Sequence, residues 1–275
     1  FKQLVKEAHE RDMKVMIDFV ANHVAPNHPW LQEPEKEAWF HPMREISNWD
    51  DREELETGWL QGLPDLNQDH PEVREYLLHA AKWWIEETNI DGYHLLNFQH
   101  VSVEFWRDFS QEVKQVKEDF YLLADSDQDL LAEGNDYLNI GIDGFFDYQY
   151  NNLLKTAFSQ PDQSLAPLFA HLNNIDPVHL GQFIDNQQTP RFTNEAVENN
   201  YHPGTRWRMA LTYLYTTPGT PIIFYGSEIA LAGGEVPDNY QQMNFLTDTE
   251  LIDYIGKIGE LRQLHPALTK GSFEN

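Results

Sequence analysis

Val15-Met16-Ile17-Asp18-Phe19-Val20 decides how this chain is read. Apolar residues surround one carboxylate, and Val15, Ile17 and Val20 are β-branched, which suits a buried strand. A helical stretch, Phe1 to Arg11, precedes it. The same grammar recurs along the chain. After Asp91-Gly92 comes a short run, Tyr93 to Leu96, that contains His94. Phe120 to Ala124 is followed at once by Asp125, and Gly144-Phe145-Phe146 is a weaker run. Gly181 to Asn186 carries Asp185, and Pro221 to Tyr225 is the last run.

Helical patterns fill the intervals. Asp69-His70-Pro71 reads as a helix start with a capping Asp and Pro in the first turn, followed by Val73, Leu77, Ala80, Ala81 and Trp84 at helical spacing. A helix from Ser102 carries Phe105, Trp106, Phe109, Val113 and Val116 on one side. Another covers Thr205 to Tyr215. The last opens with a Thr247/Glu250 capping box and holds Leu251, Ile252, Ile255, Ile258 and Leu261 inside. Short runs alternating with helices predict an α/β fold with a parallel sheet. Polar groups at the strand ends (Asp18, His94, Asp125, Asp185) match the way a (β/α) barrel lines one face. A doubly wound sheet also binds at strand ends, but it usually brings a glycine-rich phosphate loop, and neither GxGxxG nor GxxxxGK[ST] occurs.

The 275 residues are enough to bury a real core, and 41% hydrophobic and 13% aromatic content argues against disorder. Lys and Arg number 19 against 45 Asp and Glu, a net charge of −26, which argues against nucleic acid and anionic lipid as partners and suits a neutral substrate. The absence of Cys excludes disulfides, a thiol nucleophile and zinc–thiolate sites. No apolar run is long enough to span a membrane. The chain opens at Phe1 in a helical pattern without Met, which reads as a segment of a longer protein.

Four segments carry a resemblance. Asp18-Phe19-Val20-Ala21-Asn22-His23, Leu63-Pro64-Asp65-Leu66-Asn67, Phe183-Ile184-Asp185-Asn186-Gln187-Gln188-Thr189-Pro190-Arg191-Phe192 and Tyr225-Gly226-Ser227-Glu228 stand in this order across nearly the whole chain. Together they resemble the signatures of the α-amylase family, glycoside hydrolase family 13, in its neopullulanase, cyclomaltodextrinase and bacterial α-amylase branch. The resemblance implies a TIM (β/α)8 barrel. This chain would hold strands three to eight, in 1–23 and 67–267, with a reduced, irregular domain B at 24–66 and the start of a linker to a domain C at 268–275. It implies an α-glucan or maltooligosaccharide as partner and no required cofactor. It brings calcium as the one metal to consider, at Asn22. Together with the lack of Cys it points to an extracellular or cell-surface setting.

The family's reaction uses two carboxylates about 5–5.5 Å apart, one a nucleophile and one an acid/base; a third helps hold the sugar. The sequence departs at all three positions. Gly92-Tyr93-His94-Leu95-Leu96-Asn97-Phe98-Gln99-His100 puts Leu96 at the nucleophile position and His94 at that of its Arg partner. Leu122-Leu123-Ala124-Asp125-Ser126-Asp127 has Asp125 for the acid/base Glu, and Gln187-Gln188 replaces a His-Asp pair. Leu96 cannot attack an anomeric carbon, and Asp125 is one methylene short. A neutral His94 would spare the site a buried charge without a partner. The reading is a catalytically impaired family member, with Asp125 as the remaining carboxylate. An active hydrolase using Asp125 with an unrecognised partner, and a non-enzymatic scaffold, stay open beside it.

Other positions divide by role. The resemblance implies sugar contact or cleft shaping for His23, His94, His100, Asp185, Asn186, Gln187 and Arg191, with Arg191 also read as a structural ion-pair partner. Asp65, Asn67 and Glu228 read as structural, and Asp127 as a spare loop acid. Half of the eight Trp residues (Trp30, Trp39, Trp49 and Trp59) lie in 24–66, where indoles either stack on sugars or anchor an irregular loop. Trp83, Trp84, Trp106 and Trp207 read as helix packing. His28 and His41 show no metal spacing.

Overall fold

The computed structural model describes residues 1–126, 134–174, 179–246 and 250–271. The chain forms two compact units, Phe1–Phe145 and Phe146–Asn275.

In the first unit, β1 (Met16–Val20), β2 (Gly92–Leu96), β3 (Tyr121–Ala124) and β4 (Gly144–Phe146, whose first two residues close the unit) pair in chain order, all parallel. Asp18 stands opposite His94, and His94 opposite Leu123. Side chains alternate along a strand, so Asp18, His94 and Leu123 share one face, and two residues further on His94's face carries Leu96. Phe19, Leu95 and Ala124 turn the other way, toward helices. There α1 (Lys2–His9), α3 (Pro71–Thr88) and α4 (Val103–Val116) supply the cover, with α2 (Arg52–Thr57) in the insertion and α5 (Gly134–Asn139) before β4. Tyr93 donates from its hydroxyl to Ala81 O at 2.7 Å, and its ring lies 5.0 Å from Phe19 and 5.8 Å from Phe109. Phe105, Trp106, Phe109 and Val113 are fully buried, as the helical stripe predicts, but Val116 is exposed and the stripe ends one turn earlier.

Two local expectations change. Asp69 does not cap α3: the N-cap is His70, without a side-chain bond, and the Asp69 carboxylate pairs with Arg74 at 3.2 Å. Asp91 is more than a turn residue. Burial would push its carboxyl up, but Lys117, the Val15 amide and His9 bond it at 2.7–2.8 Å and hold it far below the usual carboxylate range. It thereby ties together α1, the entry to β1 and the end of α4.

The 24–66 insertion contributes no strand. Short 3-10 turns at Pro29–Gln32, Pro34–Trp39 and Leu60–Gly62 and the one helix α2, capped by Asp51, fill it. Isolated bridges, His23 with Asp65 and Phe40 with Leu66, close its ends. Trp39 is buried and donates to Glu72 at 3.0 Å, and Trp59 donates to His41 O at 3.0 Å. These two indoles serve as anchors, while Trp49 is exposed and meets His100 edge-on.

In the second unit, β5 (Leu180–Phe183) and β6 (Thr220–Ile222) are parallel, Gly181 opposite Thr220. They are accompanied by α6 (Tyr148–Ser159), α7 (Ala166–Asn174), α8 (Phe192–Glu198), α9 (Pro203–Thr216), α10 (Glu250–Leu264) and α11 (Ala267–Lys270). Tyr150, Leu154, Phe192, Trp207, Leu211 and Leu214 form the core. Asp147 caps α6 through Tyr150 N at 2.8 Å and is held by the buried His171 at 2.9 Å. Both strands stop short of the predicted runs. Thr247 and Asp127 lie outside the described residues. In α10 Leu251 is buried, whereas Ile252 and Leu261, expected inside, are exposed, as is Trp83 on α3.

Candidate functional site

The register of β1 to β3 brings three titratable groups to one place. His94 lies between two carboxylates: Nδ1 is 2.9 Å from Asp18 Oδ1 and Nε2 is 2.9 Å from Asp125 Oδ2. Burial alone would lower the imidazole's pKa. The hydrogen bonds and charges of Asp125 and Asp18 outweigh that and raise it to about 9. The same contact with His94 holds the Asp18 carboxyl below its ordinary value against the opposing effect of burial. The expectation of a neutral His94 is therefore corrected. The ring is an imidazolium at neutral pH because, with one carboxylate at each nitrogen, both nitrogens can donate. Asp18 is exposed, Asp125 is buried, and Leu96, on the same face as His94, is partly buried.

At the end of β1 the backbone delivers Asn22 and His23. Asn22 is fully buried and its amide donates to His23 Nδ1 at 3.2 Å, so that nitrogen accepts. Desolvation and the charge of His100 lower the His23 pKa, which fits a neutral ring. His100 is buried and donates from Nδ1 to Leu55 O at 3.0 Å. It thus joins the insertion to the turn after β2.

In the second unit the segment after β5 folds back on itself. Asp185 accepts from Phe192 N and Ser227 Oγ, both at 2.8 Å, and burial raises its pKa. Asn186 Oδ1 accepts from the Gln188 and Thr189 amides and the Thr189 hydroxyl at 2.9–3.1 Å. Gln187 O accepts from Asn239 at 2.9 Å, and the exposed Gln188 takes a hydrogen bond from Tyr148 OH at 2.9 Å. Arg191 is fully buried. Its guanidinium donates to Asn239 O (3.0 and 3.2 Å) and Tyr225 O (2.7 Å) and lies 4.3 Å from the Phe224 ring centroid. Its hydrogen-bond partners are backbone carbonyls, in place of the ion pair expected for it.

The calcium expectation meets a partial donor set. Leu66 N donates to Asn22 O at 2.7 Å and His23 bridges Asp65, so Asn22 and Asp65 are neighbours. Asn22 Oδ1 and Asp65 Oδ1 are both buried without a hydrogen-bond partner. Burial pushes the Asp65 carboxyl up to about 7, despite His41 at 2.6 Å. Two orphaned oxygens in a buried site fit a hard cation. Among the described residues no group of three His, Cys, Asp or Glu gathers to hold a metal.

The model of the alpha-amylase catalytic domain matches residues 1–257. The chain belongs to the alpha-amylase family. It is similar to the beta/alpha-amylase of Paenibacillus polymyxa, 32% identical over 98% of this chain and 23% of that protein. It is also similar to a Bacillus sp cyclomaltodextrinase, 32% identical over 99% of this chain and 51% of that one. The crystal structure of the Geobacillus thermoleovorans alpha-amylase with acarbose superposes at a TM-score of 0.92, with 51% identity, over 97% of this chain and 61% of that chain. The chain thus spans about half or less of the curated relatives' lengths. The fold class is the family's α/β barrel, of which the chain carries part, as its strand grammar predicts.

Some residues of the site escaped the sequence reading. Ser227 sits inside a motif but had no assigned partner, and Tyr148 and Asn239 belong to no motif at all. Asn239 is fully buried and stitches the segment from Gln187 to Arg191. Only the folded backbone brings it there.

Proposed function

We propose that this chain is an α-glucan-binding domain of the alpha-amylase family in which retaining hydrolysis is lost or severely impaired. The observation that carries the reading is the Asp18–His94–Asp125 bridge, with Leu96 on the face of His94. Retaining chemistry needs a carboxylate to attack the anomeric carbon and an acid to protonate the leaving oxygen. Leu96 offers no lone pair. Asp125 Oδ2 is taken up by His94 Nε2 at 2.9 Å, so that oxygen is not free to meet a leaving oxygen. Asp18 is the second carboxylate on the same imidazole, so the ring fills the gap in which a sugar or an attacking water would have to sit. That argues against an active pair made of Asp18 and Asp125.

The polar face that remains suits binding. His23 and His100 in the first unit and Asp185, Asn186 and Arg191 in the second stand as in the family's motifs, while His94 and Gln187 are substituted there; Asp185 and Arg191 would act by holding backbone, the others by shaping or touching the sugar. Calcium fits beside Asn22 and Asp65, where it would supply charge to a buried carboxylate and rigidity to the insertion. An extracellular or cell-surface setting accompanies this reading and is checked by fractionation of the source cells. Maltoheptaose binding, measured by calorimetry on the purified protein alongside a reducing-sugar assay, tests the whole. Binding without turnover supports the proposal, turnover favours an active enzyme, and neither favours a scaffold.

A further inference from the structure

The insertion holds a cavity of about 570 Å³ lined wholly by residues between Trp30 and Trp59. That volume lies within the roughly 300–1,000 Å³ typical of small-molecule sites. None of Asp18, His94, Leu96 and Asp125 lines it. Its aromatic residues differ in what they are free to do. Trp30 is spent on its neighbours, edge-on to Trp39 at 4.9 Å and Tyr76 at 4.8 Å, with the Lys36 ammonium 5.2 Å from its ring. Phe40 and Trp59 line the cavity and meet no other aromatic ring among the described residues. Trp59 is also fixed in place, its indole donating to His41 O at 3.0 Å and its amide to Arg44 O at 2.7 Å. A rigid, unpartnered ring is a stacking surface that costs little entropy to use.

His41 completes the lining. Its Nδ1 is 2.6 Å from Asp65 Oδ2, on a side chain with no solvent exposure. That contact takes up Nδ1 and leaves Nε2 as the ring's remaining hydrogen-bonding atom. Glu33, bonded to Lys36 at 2.6 Å, and Glu37 add carboxylate acceptors. An anion would meet these acids and a net charge of −26. A purely apolar ligand would desolvate them without recompense. A neutral ring with one C–H-rich face and a rim of hydroxyl donors satisfies every group.

We propose that this cavity is a second carbohydrate site, separate from the barrel cleft, taking one or two glucosyl units of an α-1,4-glucan. The linkage rests on the proposed function, and pyranose recognition rests on Phe40, His41 and Trp59. The test is ¹⁹F NMR of the full-length protein labelled with 5-fluorotryptophan and titrated with maltotriose, Trp30→Phe and Trp59→Phe assigning two of the signals. The Trp59 signal should move saturably. Phe40→Ala and His41→Gln should each weaken that response about threefold to tenfold, the loss of one contact, and Asp125→Ala should leave it unchanged. No response at Trp59, an equal response to cellotriose, or loss of the response in Asp125→Ala would each overturn the proposal. A Trp59 response with no second binding event in calorimetry would uphold this site and count against the cleft, so the two failures are told apart.

Discussion

Replacing His94 by Gln tests the charge state of the barrel face. Gln is close in size and keeps hydrogen-bonding capacity, but it carries no charge. The His94 pKa stands at about 9 in the fold against an ordinary 6.5. That gap of about 2.5 pH units, at about 1.36 kcal/mol per unit, is worth about 3 kcal/mol. Because the folded value is the higher one, this stability is fully present below pH ~6.5, declines as pH rises, and is gone above pH ~9. Urea unfolding of the wild-type protein and His94→Gln at a series of pH values reads it directly. The wild type should be the more stable by about 3 kcal/mol near pH 6, with the advantage shrinking to nothing near pH 10. Imidazole ¹⁵N NMR should show both nitrogens protonated at pH 7. A His94 that titrates near 6.5, or a stability difference that does not change with pH, would refute the bridge as described.

Other outcomes follow from the same geometry. The combined variant His94→Arg, Leu96→Asp, Asp125→Glu and Gln188→Asp should give measurable maltose release, while Leu96→Asp alone should not, because it leaves His94 for the Arg, an acid one methylene short and no third carboxylate. Arg191→Met should lower stability by about 3 kcal/mol in denaturant unfolding, since it leaves Asn239 O and Tyr225 O without their charged donor. Calcium should raise the melting temperature of the wild-type protein and EDTA should lower it, and Asn22→Ala should abolish both responses. A calcium effect that survives in Asn22→Ala would place the ion elsewhere.

The fold was largely legible because its signal is repeated. Each apolar run is a strand, and the helix stripes at Phe105, Trp106, Phe109 and Val113 pack as their spacing demands. Element ends were less legible. Asp69 resembles a cap but finds Arg74 instead, and the run at Gly181 to Asn186 stops at Phe183, where Asp185 turns to hold the Phe192 amide. Such choices depend on partners far away in the chain. The candidate site shows the same divide. The identities at positions 94, 96, 125 and 188 were plain from motif spacing, but the charge on His94 was not. That charge comes from two carboxylates, 76 residues before it and 31 after it, which only the strand register makes neighbours. The cavity in the insertion was foreshadowed only by its Trp residues. The hydrogen bonds of Trp39 and Trp59 make both of them anchors, and Trp39 also meets Trp30 whereas the Trp59 ring meets no aromatic ring among the described residues.

The central claim is that a face carrying an Asp–His–Asp bridge and Leu96 does not hydrolyse α-1,4-glucosidic bonds. The most direct measurement is maltose and glucose release from maltoheptaose by the purified full-length protein, with Asp125→Ala run beside it. General acid help from Asp125 alone would supply only about 10²–10⁴-fold, small beside what a glycosidase needs. The account predicts release indistinguishable from the buffer blank for both proteins. Sustained release by the wild type that disappears in Asp125→Ala would contradict it.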